Sequence, residues 1–524
     1  MISSRPNVGR PDDQNEFGIY DRVRDSVYFP DIKGIPGIYD KPEFLKDYTP
    51  RDSIFHSQYK NPRNVDILGP VYNKTGSQAV VVILSKDHKD RWIMQLDLFK
   101  GSFSLVDRQR DEAWIGGPGI GGWDPGTGNI GWLNDNETLW FQSEATGYSH
   151  LYTVNVRSGK RRQITSGAFE VFKVQLSRSG KYFYLQASAE GPFEYHFYQV
   201  PVEGGKLEKI TSRPGRNEVT LSPDEKTLAV LFSYSNKIPE LFIMPNQAGA
   251  RMQQITHSAA STFSAYPWRD PEIIHFKARD GATVYARLYT PAGNKGNNAG
   301  IIFVHGAGYL HNVHKWWSEY YREYMFNNFL CDHGYTVMDI DYRGSAGYGR
   351  DWRTAIYRHM GGKDLTDQVD GVEYMINSLK VDPAKIGIYG GSYGGFITLM
   401  AMFKFPEVFK CGAALRSVTD WAHYNHGYTS AILNTPVEDS IAYQRSSPIY
   451  FADGLKGELL MLHGIVDTNV HFQDVVRLTQ RFIELGKTNW NLAVFPMESH
   501  GFVEASSWTN EYNRIYDLFE RNLK

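Results

Sequence analysis

A repeat of about 45 residues constrains the fold of the first half of this chain more than any other feature. Three segments have a polar pair followed by Ile-Thr, and their threonines stand at positions 165, 211 and 256. An alternating, strand-like run precedes each segment, and a polar turn with another such run lies further upstream. A period in the mid-forties made of short strands is typical of a four-stranded propeller blade, because single blades cannot bury their faces and must stack radially.

The chain before residue 265 has room for only a few propeller blades. Val80 to Leu84, followed by Arg91 to Met94, predicts an earlier blade, so four blades are expected before residue 265. We therefore predict a partial β-propeller of about four to six blades over residues 1–265, with residues 1–65 irregular and rich in proline. The alternative is a β-rich region whose regular spacing is accidental.

After residue 265 the pattern changes to strands alternating with helices. A hairpin is expected over 273–289, and the helical spacing of apolar residues over 365–379 predicts a long helix. Continuous apolar runs predict buried strands at 300–304, 336–340, 386–389, 411–415, 459–462 and 492–495. Residues 266–524 are therefore predicted to form an α/β-hydrolase domain with a doubly wound, mostly parallel sheet.

Composition excludes several classes of protein. Lysine plus arginine (56) nearly balances aspartate plus glutamate (58), so no global field favours nucleic acid or an acidic membrane. No apolar run of about 18 residues occurs, and the start of this chain lacks the apolar core of a signal peptide. We expect a soluble chain, periplasmic or secreted if the natural start lies upstream and cytoplasmic otherwise. Cys331 and Cys411 have neither disulfide nor metal-ligand spacing and are expected to be buried thiols.

Ser392 is the expected nucleophile. Gly-x-Ser-x-Gly alone arises by chance in a glycine-rich chain, but here a short apolar strand precedes it and an apolar helical run follows. Strand, tight turn and helix together predict a nucleophile elbow, in which flanking glycines allow strained backbone angles. The serine hydroxyl would then stand at the amino end of a helix.

The serine hydroxyl needs a general base and an acid that orients the base. Asp467 follows the predicted strand 459–462, and His500 follows the strand 492–495. Both would lie at carboxyl ends of parallel strands, the edge from which Ser392 also emerges. His463 is the rival base, but because it precedes the acid and touches the strand end, we assign it a structural role.

An oxyanion site needs two donors. One is the backbone amide of Tyr393, directly after the nucleophile; the other should come from the loop after the strand 300–304. A backbone amide of Gly306 or Ala307, or the hydroxyl of Tyr309, would serve, and we favour the backbone. His311 and His314 follow in the same loop; without a third ligand in view, a polar loop face is favoured over a metal site, and no metal or cofactor is expected.

With these motifs the sequence resembles the prolyl oligopeptidase family of serine peptidases, and within it the dipeptidyl peptidase IV branch. The resemblance runs from about residue 68 to the end and is carried by Asp341 to Ser345 and by Gly391 to Gly395. It implies a pocket that accepts proline at the residue before the cleaved bond. By type and spacing the residues implied to form this pocket are Tyr393, Val418, Trp421, Tyr424, Tyr428, Asn469 and Val470.

Three departures from the branch bear on function. The branch anchors the substrate's amino terminus with a glutamate pair on an early blade; Asp111 and Glu112 are the nearest acidic pair here, but they come later in the propeller than that pair. Family propellers also have seven or eight blades, so we expect this sequence to lack the first part. The branch carries a tyrosine where this chain has His305, which makes the oxyanion loop more similar to those of acylaminoacyl peptidases and esterases.

The function expected from the resemblance is a serine peptidase that cleaves short peptides after proline or alanine through an acyl-enzyme. The alternatives are an acylaminoacyl peptidase or esterase with the same triad, and a non-catalytic propeller module that only binds partners. The expected partners are a peptide substrate and, in a homodimer, a second copy of the chain.

Overall fold

The computed structural model describes residues 6–10, 15–48, 59–121, 126–293, 295–306 and 309–524. Ala307, an oxyanion candidate, lies outside these ranges. Before residue 65 the described residues contain a small hairpin, β1 (Ile19–Asp21) and β2 (Ser26–Tyr28), and a 3-10 helix over Glu43–Asp47. The predicted irregular start is therefore partly ordered, and Ile35 and Ile38 pack into the core of the sheet that follows.

Residues 65–254 form four antiparallel sheets of four strands, each a meander in chain order. The first two sheets are β3 (Val65–Tyr72), β4 (Ala79–Ser85), β5 (Asp90–Leu96), β6 (Phe103–Arg110) and β7 (Ile130–Trp132), β8 (Thr138–Ser143), β9 (His150–Asn155), β10 (Arg161–Gln163). The last two are β11 (Val171–Leu176), β12 (Tyr182–Ala187), β13 (His196–Pro201), β14 (Glu208–Lys209) and β15 (Arg216–Leu221), β16 (Thr227–Tyr234), β17 (Lys237–Pro245), β18 (Gln253–Gln254). Each sheet coincides with one unit of the repeat or with the predicted earlier blade.

The repeated threonine has the same task in three of the sheets. Its hydroxyl accepts a hydrogen bond of 2.9–3.0 Å from a backbone amide of the third strand, and so ties the fourth strand to the third. The pairs are Thr165 with Leu151, Thr211 with Phe197 and Thr256 with Leu241. The preceding isoleucines are buried at 164 and 210 and half-exposed at 255, after which the described residues contain no further four-stranded sheet. The sequence repeat thus reflects a repeated strand closure.

The second half is built on one eight-stranded sheet. Its strands are β19 (Glu272–Lys277), β20 (Thr283–Tyr289), β21 (Gly300–Val304), β22 (Thr336–Asp341), β23 (Ile386–Gly391), β24 (Cys411–Leu415), β25 (Glu458–Gly464) and β26 (Trp490–Phe495). Their order in the sheet is β19-β20-β22-β21-β23-β24-β25-β26; the strands from β22 to β26 run parallel, and the hairpin β19–β20 is antiparallel to them. Because all the parallel strands end at one edge, the loops after β21, β23, β25 and β26 meet there.

Helices cover both faces of this sheet. They are α1 (Ser261–Ala265), α2 (Tyr321–Asp332), α3 (Arg350–Arg353), α4 (Lys363–Leu379), α5 (Tyr393–Lys404), α6 (His426–Leu433), α7 (Ser440–Ser446), α8 (Gln473–Glu484) and α9 (Ala505–Leu523), with 3-10 turns at Thr354–Ile356, Trp421–His423 and Pro448–Gly454. The central strands are apolar on both faces, so two buried clusters form, one on each side of the sheet. Cys331 and Cys411 lie buried and unbonded in the second of these, as predicted. Among the described helices, none combines the length and the apolar character needed to cross a bilayer.

A buried ion pair and a backbone hydrogen bond join the two halves. The two terminal guanidinium nitrogens of Arg353 donate to the carboxylate of Glu144 at 2.5 and 2.7 Å, and the backbone amide of Arg350 donates to the carbonyl of Gly147. This bidentate pair connects the end of α3 with the loop after β8. The loop after β22 is thereby fixed against the second sheet of the first half.

Candidate active site

Ser392 stands at a sharp turn between β23 and α5. Its backbone has φ 58° and ψ −117°, a conformation that a residue with a side chain rarely adopts. A methyl group on Gly390 or Gly394 would lie 2.4 or 2.0 Å from the carbonyl oxygen of Val304, so both positions require glycine. The turn therefore has the geometry predicted for a nucleophile elbow, with Ser392 at the amino end of a helix.

Asp467 is held in the loop after β25. One carboxylate oxygen accepts the backbone amides of Asn469 and Val470 at 2.8 and 2.9 Å, and the other lies 2.8 Å from Nδ1 of His500. Burial alone would raise the pKa of Asp467, but hydrogen bonds from His463 and His500 outweigh it and hold the pKa well below its usual range. The group is therefore a carboxylate at neutral pH.

His500 follows β26 and faces Asp467. Because a carboxylate only accepts hydrogen bonds, Nδ1 carries the proton, and Nε2 keeps its lone pair for another donor. Burial lowers the pKa of His500, and the hydrogen bond and charge of Asp467 oppose this only in part. The imidazole is thus neutral at neutral pH, as a general base must be.

His463, the rival base, is engaged elsewhere. Its Nε2 lies 2.9 Å from the carbonyl oxygen of Val470 and 3.4 Å from Asp467. It closes the loop that carries the carboxylate and is itself buried. This arrangement agrees with the structural role expected for it.

A cavity of about 610 Å³ brings these residues together. Ser392 and His500 both line it, with Gly306 and Tyr309 from the loop after β21. Six of the seven residues predicted for the substrate pocket also line it: Tyr393, Val418, Trp421, Tyr424, Tyr428 and Asn469. Val470 does not; it is buried, and its backbone binds Asp467 and His463 instead.

The aromatic residues of the cavity form a box. The rings of Tyr424 and Tyr428 each lie within 6 Å of Trp421, and they meet each other edge to face at 5.8 Å. The hydroxyl of Tyr424 donates to Asn469 at 2.8 Å, and that of Tyr393 donates to buried Asp364 at 2.6 Å. With Val418 beside these rings, the aromatic box contains no charged side chain, which suits a small ring or a methyl group.

The oxyanion loop differs from the expectation in one respect. The Gly306 amide donates a hydrogen bond of 2.7 Å to the hydroxyl of Tyr320, so this amide already has an acceptor. Tyr320, which the sequence did not single out, lines the cavity together with Ser392. The Tyr309 ring is half-exposed and meets Tyr428 edge to face at 6.0 Å. The backbone amide of Tyr393 lies in the first turn of α5, where amides have no partner within the helix.

Charged and amino-terminal residues complete the wall. Arg416, directly after β24, lies 4.0 Å from buried Glu511, whose pKa burial raises to about 8. Residues 6–10 cross the opposite side: the carbonyl of Pro6 accepts the amide of His426, and the amide of Val8 donates to the carbonyl of Tyr424. Pro6 lines the cavity, a contact that sequence patterns do not indicate because it joins segments more than 400 residues apart.

The acidic pair Asp111–Glu112 does not line the cavity. Asp111 contacts Arg350, and Glu112 contacts Arg110, so each carboxylate already forms an ion pair with an arginine. Another carboxylate, Glu170, lines a second cavity of about 270 Å³ between the two halves, and burial beside Glu144 raises its pKa to about 7. Tyr309 lines both cavities.

His311 and His314 pack inside the protein instead of forming a polar loop face. The His314 ring stacks on Trp316 with 3.6 Å between ring centroids. The His311 ring meets the His314 ring edge to face at 5.5 Å. Nε2 of His311 lies 2.9 Å from the carbonyl oxygen of Val313. The described residues contain no group of three side chains that could hold a metal ion.

The mixed sheet with this elbow and the loop residues at its edge is that of an α/β-hydrolase. Residues 322–524 match the model of the prolyl oligopeptidase family, and residues 64–239 match that of the dipeptidyl peptidase IV N-terminal region. Together the two matches support a dipeptidyl peptidase IV-like member of the prolyl oligopeptidase family. The predicted family and the predicted fold, a propeller region followed by an α/β-hydrolase domain, are thereby confirmed.

Individual relatives agree with this assignment. Human dipeptidyl peptidase 8 is 27% identical over 430 residues, covering 73% of this chain and 47% of that protein. A probable dipeptidyl-aminopeptidase B of Arthroderma otae is 27% identical over 384 residues, covering 71% and 41%. The crystal structure of Porphyromonas gingivalis dipeptidyl peptidase 4 matches with a TM-score of 0.79 and 21% identity, covering 99% of this chain and 68% of that one. The chain spans about half the length of the curated relatives it matches.

Proposed function

We propose that this protein is a serine peptidase that hydrolyses short peptides after proline or alanine, in the manner of dipeptidyl peptidase IV. The observation that carries the proposal is the cavity in which Ser392 and His500 adjoin an uncharged aromatic box. Relatives with dipeptidyl peptidase names support the same reading.

Ser392, His500 and Asp467 each have a distinct role in the proposed reaction. The Ser392 hydroxyl attacks the scissile carbonyl while Nε2 of His500 takes its proton, and Asp467 stabilises the imidazolium that results. His500 then returns the proton to the leaving amine, which departs and leaves an acyl-enzyme. Water, deprotonated by the same imidazole, releases the acid and regenerates Ser392. The lowered pKa of His500 keeps the base neutral between turnovers.

Substrate choice follows from the aromatic box. A pyrrolidine ring or an alanine methyl packs between Trp421, Tyr428 and Val418 without leaving a buried charge unpaired. A lysine or aspartate side chain would enter the same space without a partner. The preference is therefore for small apolar residues before the cleaved bond.

The test compares Ala-Pro and Gly-Pro chromogenic amides with free and with blocked amino termini. We expect kcat/KM to be highest for the free forms and to fall strongly when the amino terminus is acetylated. If only blocked substrates are cleaved, the dipeptidyl mode is wrong and an acylaminoacyl peptidase is supported. If neither these amides nor simple acyl esters are hydrolysed, the catalytic proposal fails.

Val418→Phe is expected to narrow the pocket. Val418 is buried at the cavity wall, so a phenylalanine ring in its place would occupy the space that the proline side chain of the substrate needs. We expect kcat/KM for Ala-Pro amides to fall about 10- to 100-fold, mainly through KM, with a smaller loss for Ala-Gly amides. Val437→Phe, at a position that is 69% exposed, is the matched control. Equal losses on both substrates would contradict a role of Val418 in proline selection.

We further propose that the chain forms a homodimer through the sheet edge at β26. Strand β26 has no neighbour on its outer side among the described strands. Apolar side chains are exposed beside it at Ile465, Val466, Val494, Met497 and Val503. Met497→Glu is expected to convert a dimer to a monomer in light scattering, whereas Val437→Glu should not. A wild-type protein that is monomeric at micromolar concentration would exclude the dimer.

A further inference from the structure

A hydrogen bond with the backbone amide of Gly306 holds the Tyr320 hydroxyl beside the nucleophile. Its hydroxyl accepts the Gly306 amide at 2.7 Å, and it lines the cavity that contains Ser392. A methyl group built on Gly306 would lie 2.7 Å from the Tyr320 hydroxyl and 3.5 Å from Cβ of Ser392. The hydroxyl and the nucleophile therefore flank the same small space above Gly306.

The Tyr320 hydroxyl is available as a donor. A phenol has one proton and accepts at its lone pairs, and here a lone pair is occupied by the Gly306 amide. Within the described residues the hydroxyl has no acceptor for its own proton. Burial, reinforced by the charge of Glu323, raises the pKa of Tyr320, so the proton stays on the oxygen throughout the working pH range.

The ring of Tyr320 is fixed before substrate binds. It meets Phe303 edge to face at 5.7 Å, and its backbone amide donates to the Ser318 hydroxyl at 2.9 Å. That hydroxyl in turn donates to Asn312 at 2.6 Å in the buried loop. A donor held in this way needs no reorganisation when charge develops, which is the condition for strong oxyanion stabilisation.

We propose that the Tyr320 hydroxyl donates a hydrogen bond to the oxyanion formed when Ser392 attacks the scissile carbonyl. The Tyr393 amide is the second donor. The Gly306 amide acts through Tyr320 as a positioning group, because its hydrogen bond orients the hydroxyl and makes it a stronger donor. This inference rests on the proposed hydrolase function but not on peptide specificity. Tyr320 thereby takes the role of oxyanion donor that the sequence pattern gave to a backbone amide of Gly306 or Ala307.

Tyr320→Phe is the direct test. We expect kcat for Ala-Pro amides to fall about 10²- to 10³-fold while KM changes less than about threefold, since the hydrogen bond strengthens only as charge develops. Tyr321→Phe, the same change one position along the chain, should keep wild-type kcat. A loss confined to Tyr309→Phe would assign the donor to Tyr309 and overturn the proposal.

Two further measurements separate an oxyanion donor from a structural residue. A peptidyl trifluoromethyl ketone, which forms an oxyanion on Ser392, should bind Tyr320→Phe more weakly by the same factor as kcat falls. A product dipeptide, which forms none, should bind both proteins equally. Equal weakening of both ligands would mean that the cavity had collapsed, and the proposal would be wrong.

Hydrolysis of a small activated ester distinguishes failure of this inference from failure of the peptidase proposal. If wild type cleaves the ester but no peptide, the peptidase proposal fails. The fall in kcat for the ester in Tyr320→Phe then still tests whether the Tyr320 hydroxyl is an oxyanion donor. If Tyr320→Phe does not fold, a fluorinated tyrosine at position 320 keeps the geometry with a more acidic phenol. We expect kcat then to fall at alkaline pH as the phenol loses its proton and can no longer donate a hydrogen bond; an unchanged pH profile would overturn the proposal.

Discussion

Replacing Ser392 by alanine is expected to lower kcat by about 10⁵-fold or more while substrate still binds. The hydroxyl is the atom that forms the acyl-enzyme, and nothing else at the elbow replaces it. Because the strained φ of 58° at Ser392 is a backbone property and alanine is small, the turn should persist. The measurement is kcat and KM on Ala-Pro chromogenic amides, together with labelling by a fluorophosphonate.

Wild type should lose activity in proportion to fluorophosphonate labelling, and Ser392→Ala should not be labelled. Ser506→Ala, at an exposed serine of α9, is the matched control and should behave as wild type. Labelling of Ser392→Ala at wild-type rate would place the nucleophile elsewhere. Equal inactivity of wild type and variant toward amides and esters would instead indicate that the chain does not turn over substrate.

Most of the secondary structure could be predicted from periodicity. The strands β21 and β24 have the predicted bounds, and β22, β23, β25 and β26 differ from the predicted bounds by one or two residues at an end. Continuous apolar runs identify strands buried on both faces, and the repeat together with the predicted earlier blade identifies the four sheets of the first half. The repeat was recognisable because one threonine closes the fourth strand of three successive sheets.

The elbow and the residues near it could be predicted for a different reason. Gly390 and Gly394 are required by contact with the Val304 carbonyl, so the motif leaves a local sequence trace. Asp467 and His500 follow recognisable strands in a known chain order. Such residues can be found because their placement depends on the ends of regular elements.

The contacts that sequence reasoning missed join irregular segments. The hydroxyl of Tyr320 reaches back 14 residues to the Gly306 amide within one loop, and no periodic pattern encodes such a contact. Residues 6–10 pair with the 424–426 segment across the whole chain. Val470 matched the pocket pattern by type and spacing, but its backbone amide binds Asp467 and the residue does not line the cavity. Only the three-dimensional arrangement of the loops decides these cases.

Asp467→Asn is expected to lower kcat about 10⁴-fold through the tautomer of His500. The amides of Asn469 and Val470 both donate to Oδ1 of Asp467, so an asparagine must keep its carbonyl oxygen there. Its NH₂ group then faces Nδ1 of His500, which must accept, and the imidazole proton moves to Nε2. A protonated Nε2 cannot take the proton of Ser392.

The pH profile of the same variant gives an independent check of this geometry. In wild type the base is neutral above the pKa of His500, which burial holds below its ordinary value, so kcat/KM should fall only as pH drops below about 6.5. The Asp467 carboxylate raises that pKa by hydrogen bond and charge, so its removal should move the acid limb to still lower pH. Asp453→Asn removes an exposed charge and should leave both kcat and the profile unchanged. If Asp467→Asn keeps kcat within tenfold of wild type, or if its acid limb moves to higher pH, Asp467 does not orient the base.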